Sequence, residues 1–137
     1  RICHLPPDLP PVLGLTALVQ CLVHALSRAI DRGTYQLDCH PYLARQNKWR
    51  ACRFGMEAHL VDAYTFASRP ARQVVHDMAD RLRETAEELG CAAELASVHE
   101  MAERPTGADL QLAAYDESGD LADVVRRMLA LSELGEG

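Results

Sequence analysis

The stretch 43–62 constrains the fold more than any other part of this 137-residue chain. It reads L-A-R-Q-N-K-W-R-A-C-R-F-G-M-E-A-H-L-V-D and holds the only tryptophan of the protein among several cations. On a helix, Trp49 and Met56 share one face, while Arg50 and Phe54 share roughly the opposite face. Apolar residues on two sides favour a helix that is buried on more than one side, where its cations need anionic partners. We therefore predict a buried cationic helix rather than a solvated basic face.

The overall composition favours one soluble domain rich in Ala, Leu and Arg. At 137 residues and 48% hydrophobic, the chain is long enough to bury a core. Its net charge of −6 argues against nucleic acid as a partner, because nucleic-acid-binding modules are normally basic. The sequence shows no secretory signal, and its five scattered cysteines are typical of reduced thiols, so we expect a cytoplasmic protein.

Hydrophobic periodicity predicts six helices, at about 12–31, 43–54, 70–89, 91–103, 109–115 and 121–131. The first helix is apolar enough to be tested as a membrane span. A polar stripe that includes Gln20 and His24, together with Arg28, interrupts it, so we expect a buried helix and no membrane partner. The runs 1–4 and 57–66 predict one or a few short strands.

Three segments resemble one known family. R-Q-N-K-W-R-A-C-R-F-G-M-E-A is similar to the Arg-Glu-Asn-Arg/Lys-Trp-Arg-Ala-x-Arg-x-Gly-x-Asp/Glu-Ala signature of the carboxylate–amine ligases, which include the bacterial and plant type of glutamate–cysteine ligase. R-I-C-H at the start resembles that family's Glu-Ile/Val-Arg-x-x-Asp strand, and P-T-G-A-D-L-Q-L-A-A-Y resembles its Gly-Thr-Gly-Ala-Asp-x-Gln segment, where Thr106 or Asp109 is expected to cap a helix. The resemblance spans essentially this whole chain, but only about the C-terminal third of a family member.

The resemblance implies a parent catalytic domain of the α+β class, similar to that of glutamine synthetase. This chain is then a mainly α-helical C-terminal segment of one ligase domain, with one or a few short strands. Such a ligase uses ATP and Mg²⁺ to phosphorylate the γ-carboxylate of glutamate, and an amine such as that of cysteine attacks the acyl phosphate. The metal ligands are expected outside this chain. The segment alone is expected to be inactive, with the missing N-terminal part or a partner chain completing the site; a homo-oligomer is also compatible with the resemblance.

Five residues of the matched motifs form the candidate site. Transferred by position, Arg50 and Arg1 are the expected catalytic residues, binding a phosphate or the substrate carboxylate, because such cations offset charge on a transferred group. Asn47, Lys48 and Arg53 are the expected cofactor-binding residues. For Lys48 and Arg53, an ion pair with an Asp or Glu outside the chain is the stronger competing interpretation.

Departures from the family motifs keep other functions open. His4 stands where the family usually has Asp, and Gln46 replaces a usual Glu. The alternatives are a non-catalytic helical interaction module whose cationic helix binds an acidic partner, and a pseudo-enzyme that keeps the fold without the chemistry. No metal site is expected in this chain, because neither Cys3-His4 nor Cys39-His40 belongs to the C-x-x-C or H-x-x-x-H spacing of a zinc site.

Overall fold

The structure, a computed structural model, describes residues 9–35 and 39–132. In this part of the chain, seven α-helices and one two-stranded antiparallel sheet form: α1 Leu9–Asp31, α2 Pro41–Phe54, β1 His59–Val61, β2 Ser68–Pro70, α3 Ala71–Arg81, α4 Arg83–Leu89, α5 Ala92–Glu103, α6 Gly107–Ser118 and α7 Leu121–Ser132. A single 3-10 turn, Gly55–Glu57, joins α2 to β1. The prediction of a mainly helical chain with short strands is confirmed. The strand predicted at 1–4 lies outside the described residues.

The structure corrects the prediction of one helix over 70–89. Helix α3 ends at Arg81, and α4 begins at Arg83; Leu82 between them caps both helices, with φ −95° and ψ 1°. Leu82 is itself buried, so the break brings an apolar side chain into the core. The predicted helix start at Ser68–Pro70 is instead the second strand. The residue before a proline favours extended geometry. Pro70 is the last residue of the strand, where the lack of a backbone N–H is tolerated.

The core lies where α1 packs against α5 and α4. Small side chains allow this close approach: Gly14 is buried, and a Cβ atom added there would lie 2.5 Å from Ser97 Oγ on α5. Helix α3 packs against the other side of α5. The buried cluster consists of Ala17, Leu18, Cys21, Ala79, Leu82, Ala86, Leu95 and Val98.

Helix α1 is buried along one side only, and its apolar Val23 and Ile30 are exposed. Within the described residues, 10–31 is the one helix long and apolar enough to cross a membrane by length and composition, with 22% of its most apolar window buried. The core helix of a soluble protein passes the same test, so this is weak evidence for a span. In the polar stripe, His24 Nε2 lies 3.7 Å from Glu88 Oε2 on α4, which is a half-exposed polar contact.

The close approach at Gly14 predicts the effect of a larger side chain. Gly14→Val should lower the free energy of unfolding by about 2 kcal/mol, because its side chain would overlap Ser97 and the Glu94 carbonyl on α5. Chemical denaturation measures this change. Leu13→Val places the same side chain at the neighbouring, exposed position and should cost much less. Equal losses in the two variants would contradict the packing of α1 on α5 at this point.

Candidate functional site

The signature segment forms helix α2. At its start, the His40 Nδ1 atom accepts the backbone N–H of Tyr42 at 3.2 Å, and Pro41 occupies the first turn, where a missing N–H is tolerated. At its end, Gly55 has φ 54° and its N–H bonds to the Ala51 carbonyl. This positive φ favours glycine and lets the chain leave the helix towards β1.

Side chains of α2 hold the outer edge of β1. Asn47 Nδ2 donates to the Val61 carbonyl at 2.8 Å, and Asn47 Oδ1 accepts the Val61 N–H at 2.9 Å. Arg50 Nη1 donates to the His59 carbonyl at 3.1 Å. In the register that pairs Leu60 with Arg69, backbone groups of alternate residues point away from β2. The two α2 side chains therefore occupy the place that a third strand would take.

This arrangement gives Asn47, the predicted cofactor-binding residue, a positioning role in the described structure. Its amide uses one donor and one acceptor on the backbone of Val61, as a neighbouring strand would. Arg50, a predicted catalytic residue, donates one of its five side-chain N–H groups to His59. Arg1, the second predicted catalytic residue, lies outside the described residues.

An open cleft of about 420 Å³ lies beside Arg50, and we call it the outer cleft. Within it, Trp49 and Phe54 meet edge to face with ring centroids 6.0 Å apart. The Arg53 guanidinium lies over the Phe54 ring, 5.9 Å from its centroid. The outer cleft thus combines an aromatic wall, a cation and a carboxylate. Its lining residues are Gln46, Trp49, Arg50, Phe54, Glu57 and His59.

The prediction that α2 is buried is wrong for this chain. None of its residues is buried, and Trp49 and Phe54 are 56% and 52% exposed. The physical reason is that α2 packs mainly against β1 and the 3-10 turn, so one side of the helix is covered. Within residues 9–35 and 39–132, no carboxylate pairs with Arg45, Lys48 or Arg53.

A second cleft, of about 360 Å³, lies on the α1 and α3 side of β1. Asn47 lines this inner cleft, together with Asp62 and Arg69. Arg69 pairs with Asp77, and this hydrogen bond lowers the pKa of the Asp77 carboxyl below its usual value. The structure therefore does not bring all the candidate residues together: Arg50 lines the outer cleft and Asn47 the inner one.

Comparison with known proteins agrees with the motif carried by α2. The family model for glutamate-cysteine ligase family 2 matches residues 1–127. This chain belongs to glutamate-cysteine ligase family 2.

Several relatives share the printed name "Putative glutamate–cysteine ligase 2". The protein of Gloeobacter violaceus is 39% identical over 125 residues, which cover 91% of this chain and 34% of the relative. The protein of Solibacter usitatus is 32% identical over 135 residues, which cover 98% of this chain and 35% of the relative. The protein of Clavibacter sepedonicus is 37% identical over 127 residues, which cover 92% of this chain and 33% of the relative. The chain therefore spans about a third of the length of these relatives.

The family segment 105–111 caps α6, as the sequence predicts. Thr106 Oγ1 accepts the Asp109 N–H at 3.3 Å, and Asp109 Oδ2 accepts the Thr106 N–H at 2.8 Å, which completes a capping box. The hydrogen bonds from the Thr106 side chain and backbone lower the pKa of Asp109. Geometry thus explains these two family residues by local structure alone.

Sequence reasoning missed Arg72, which connects the outer cleft to the core. Arg72 Nη2 donates to Glu57 Oε1 at 2.6 Å, and Nη1 donates to the Ala102 carbonyl of α5 at 2.5 Å. The hydrogen bond to Glu57 is the main cause of a raised pKa for Arg72. Glu103 Oε2 lies 3.5 Å from the same guanidinium. No short motif could have revealed this contact, because its partners lie 15 to 31 positions away along the chain.

A histidine pair continues this polar chain between α3 and α5. His76 and His99 stack at 5.0 Å, with their Nδ1 atoms 2.7 Å apart. His76 Nε2 lies 2.8 Å from Glu103 Oε1, and the hydrogen bond from His76 is the main cause of a lowered pKa for Glu103. The Nδ1 atoms of the two rings are within hydrogen-bond distance, so one imidazole donates to the other.

The described residues do not supply the Mg²⁺ site that the family implies. Among residues 9–35 and 39–132, no three His, Cys, Asp or Glu side chains are grouped so that they could hold a metal ion. Carboxylate oxygens are the ligands that Mg²⁺ prefers, whereas α2 presents mainly cations. The cations suit phosphate or carboxylate groups instead.

Asp62 shapes the turn between β1 and β2, which sequence reasoning also missed. Its Oδ1 accepts the backbone N–H of Thr65 at 2.8 Å, that of Tyr64 at 3.0 Å, and the Thr65 hydroxyl at 3.0 Å. The same hydrogen bonds, led by that from the Thr65 N–H, lower the pKa of Asp62. Phe66 follows with φ 57°, a left-handed conformation that few non-glycine residues adopt. An Asp followed three residues later by Thr is the sequence signal for such a turn.

The Asp62 turn predicts an acid-sensitive hairpin. Because the folded-state pKa of Asp62 is lowered, its contribution is complete above the ordinary carboxyl value near 3.8 and is lost as pH falls through the folded value. The wild-type chain should therefore lose more stability between about pH 6 and about pH 2.5 than Asp62→Asn, whose amide oxygen accepts the same bonds without titrating. Denaturation at both pH values measures the difference. The matched control is Asp116→Asn on α6, which should behave like wild type; identical losses in all three proteins would contradict the assignment.

Asn47 predicts a second measurable effect. Asn47→Asp should lower the free energy of unfolding by about 2 kcal/mol at neutral pH, because the carboxylate would face the Val61 carbonyl without a proton to donate. Chemical denaturation measures this loss. Gln46→Glu makes the same amide-to-acid change one position earlier, where the amide donates to Tyr42 of the same helix, and should cost little. Equal losses in the two variants would show that the Asn47 amide does not hold the strand.

Proposed function

We propose that this chain is the C-terminal part of an ATP-dependent carboxylate–amine ligase that joins glutamate to an amine such as cysteine. The observation that carries the proposal is the cationic surface of α2, where Arg50 lines the outer cleft. Lys48 and Arg53 are exposed on the same helix, without ion-pair partners among the described residues. Family membership over 127 residues supports it. The chain spans about a third of its relatives, so the complete activity belongs to a longer protein.

The proposed reaction has two steps, and both place negative charge near the acceptor carboxylate. The γ-carboxylate of glutamate takes the terminal phosphoryl group of ATP; the amine then attacks the acyl phosphate, forming the C–N bond and releasing phosphate. Arg50 has N–H donors beyond the one bound to His59, and these bind the oxygens of phosphate or carboxylate. We assign Arg1 the same role. Mg²⁺ would bridge the phosphates of ATP, with its ligands supplied from outside this chain.

The remaining cations of the motif have less specific roles. Lys48 and Arg53 bind either the nucleotide phosphates or carboxylates on the rest of the ligase, and both roles require the partner to cover α2. Asn47 acts indirectly, by holding β1 against the helix so that Arg50 and His59 keep their places at the outer cleft.

The stand-alone interaction module is the less favoured alternative. Such a module is expected to bury its large apolar side chains, yet Trp49, Phe54, Tyr64 and Phe66 are all more than half exposed. Aromatic side chains exposed next to a family motif are better explained by a surface that the rest of the ligase covers. The pseudo-enzyme alternative differs in chemistry alone, so an activity assay separates it from the ligase.

The test is a chimera. A family member whose ligase activity has first been measured receives this chain in place of its own matching third, and phosphate release is followed with ATP, Mg²⁺, glutamate and a panel of amines. Glutamate-dependent phosphate release together with a new amide product supports the proposal. A folded chimera that releases no phosphate above background, with any amine tested, would instead support the pseudo-enzyme.

In the active chimera, Arg50→Ala should lower kcat/KM by about 100-fold, because a charge-stabilising donor is removed from the site. Arg45→Ala removes a more exposed cation of the same helix that lines neither cleft, and should change kcat/KM by less than about threefold. Steady-state kinetics measure both, and thermal unfolding checks that each variant is folded at the assay temperature. Equal losses in the two variants would remove Arg50 from the proposed machinery.

A further inference from the structure

Two cysteine thiols meet inside the core at a distance from the signature helix. Cys21 Sγ on α1 and Cys91 Sγ at the start of α5 lie 3.6 Å apart, although 70 positions separate them in sequence. Cys21 is fully buried, at 0% exposure, whereas Cys91 is only partly buried. Both belong to the free thiols of the described chain.

We propose that Cys21 and Cys91 are a redox modification site, in which the two thiols form a reversible disulfide when an oxidant such as hydrogen peroxide or glutathione disulfide reaches Cys91. A disulfide needs an S–S distance of about 2.05 Å, so the sulfurs must approach by about 1.5 Å. Cys91 immediately precedes α5 and follows Gly90, which has φ 71°. Cys91 thus lies between α4 and α5, outside both helices, and we assign the adjustment to its side chain.

Exposure and protonation assign different roles to the two sulfurs. Burial, followed by the hydrogen bond with Cys91, raises the pKa of the Cys21 thiol to about 11, so Cys21 stays protonated and is a poor first nucleophile. Cys91 is the thiol that solvent-borne oxidants can contact. Cys91 therefore reacts first, and Cys21 resolves the product.

With glutathione disulfide, the Cys91 thiolate attacks one sulfur and releases glutathione thiolate, leaving a mixed disulfide on Cys91. The Cys21 sulfur then attacks the Cys91 sulfur, the second glutathione leaves, and the Cys21 proton goes to that leaving thiolate. With hydrogen peroxide, Cys91 forms a sulfenic acid and one water, and attack by Cys21 forms the disulfide and a second water. Either oxidant accepts the two electrons that the two thiols lose.

Oxidation of this pair would stabilise the helical core. The covalent loop would enclose residues 22–90, which contain α2, β1, β2, α3 and α4. A cross-link between distant positions restricts the unfolded chain, so the oxidised protein should unfold at a higher temperature than the reduced one. The rival interpretation is a thiol–thiol hydrogen bond in a packed core, with no redox chemistry.

The experiment uses the complete chain carrying Cys3→Ser, Cys39→Ser and Cys52→Ser, so that only Cys21 and Cys91 remain. Native protein is incubated with glutathione disulfide and its mass is measured. We expect a loss of about 2 Da, the mass of two hydrogen atoms, and no thiols on titration after denaturation. The thermal midpoint should rise by several degrees and return on reduction with dithiothreitol.

Two comparisons decide between the interpretations. Adding Cys21→Ala should stop the reaction at a stable glutathione adduct on Cys91, because the resolving sulfur is gone. In the variant that keeps both Cys21 and Cys91, a persistent glutathione adduct on Cys91 would overturn the proposal. So would two free thiols under conditions that modify the exposed Cys52 of the wild-type chain. Peptide mapping of oxidised wild-type protein needs no substitution: a peptide cross-linked through Cys21 and Cys91 supports the proposal, and pairing of either with another cysteine overturns it.

Discussion

The two hydrogen bonds between the Asn47 amide and the Val61 backbone are the constraint on which the site depends. A two-stranded hairpin is marginally stable in water by itself, and β1 and β2 are only three residues long. The amide of Asn47 satisfies the outer edge of β1 as a third strand would, and Arg50 adds one bond at His59. Without these bonds, α2 would lose its polar connection to the hairpin.

The helical core provides the fixed surface behind that hairpin. Close packing of α1 on α5 requires the missing side chain at Gly14, and the break at Leu82 adds a buried leucine between α3 and α4. Arg72 carries the connection outward, since one guanidinium bonds both the α5 backbone and Glu57 of the outer cleft. Arg72 on α3 therefore ties the backbone of α5 to a carboxylate that lines the outer cleft.

The sequence predicted the features that depend on residues close together along the chain, namely the helices and a helix cap. Helical periodicity located the helices except for the break at Leu82, and the Thr106–Asp109 pair identified a cap, because both depend on residues within four positions. The prediction that α2 is buried was wrong. The pattern of apolar residues shows which sides of a helix favour burial, but not whether the chain supplies a surface to cover them. The roles of Asn47 and Arg72 were beyond the sequence for a related reason: their partners are backbone groups and carboxylates brought near only by the fold.

The residues of the signature motif on α2 make different contacts in the structure, although they stand together in the sequence. Asn47 is engaged with Val61 and Arg50 partly with His59, whereas Arg45, Lys48 and Arg53 of the same helix have no ion pair among the described residues. The first two residues hold the strand, whereas the side chains of the other three are exposed. A family match cannot separate these roles, because it scores all five residues by their identity and not by what they contact. A charged side chain costs little while water solvates it, so three cations can stay exposed on α2 without anionic partners among the described residues.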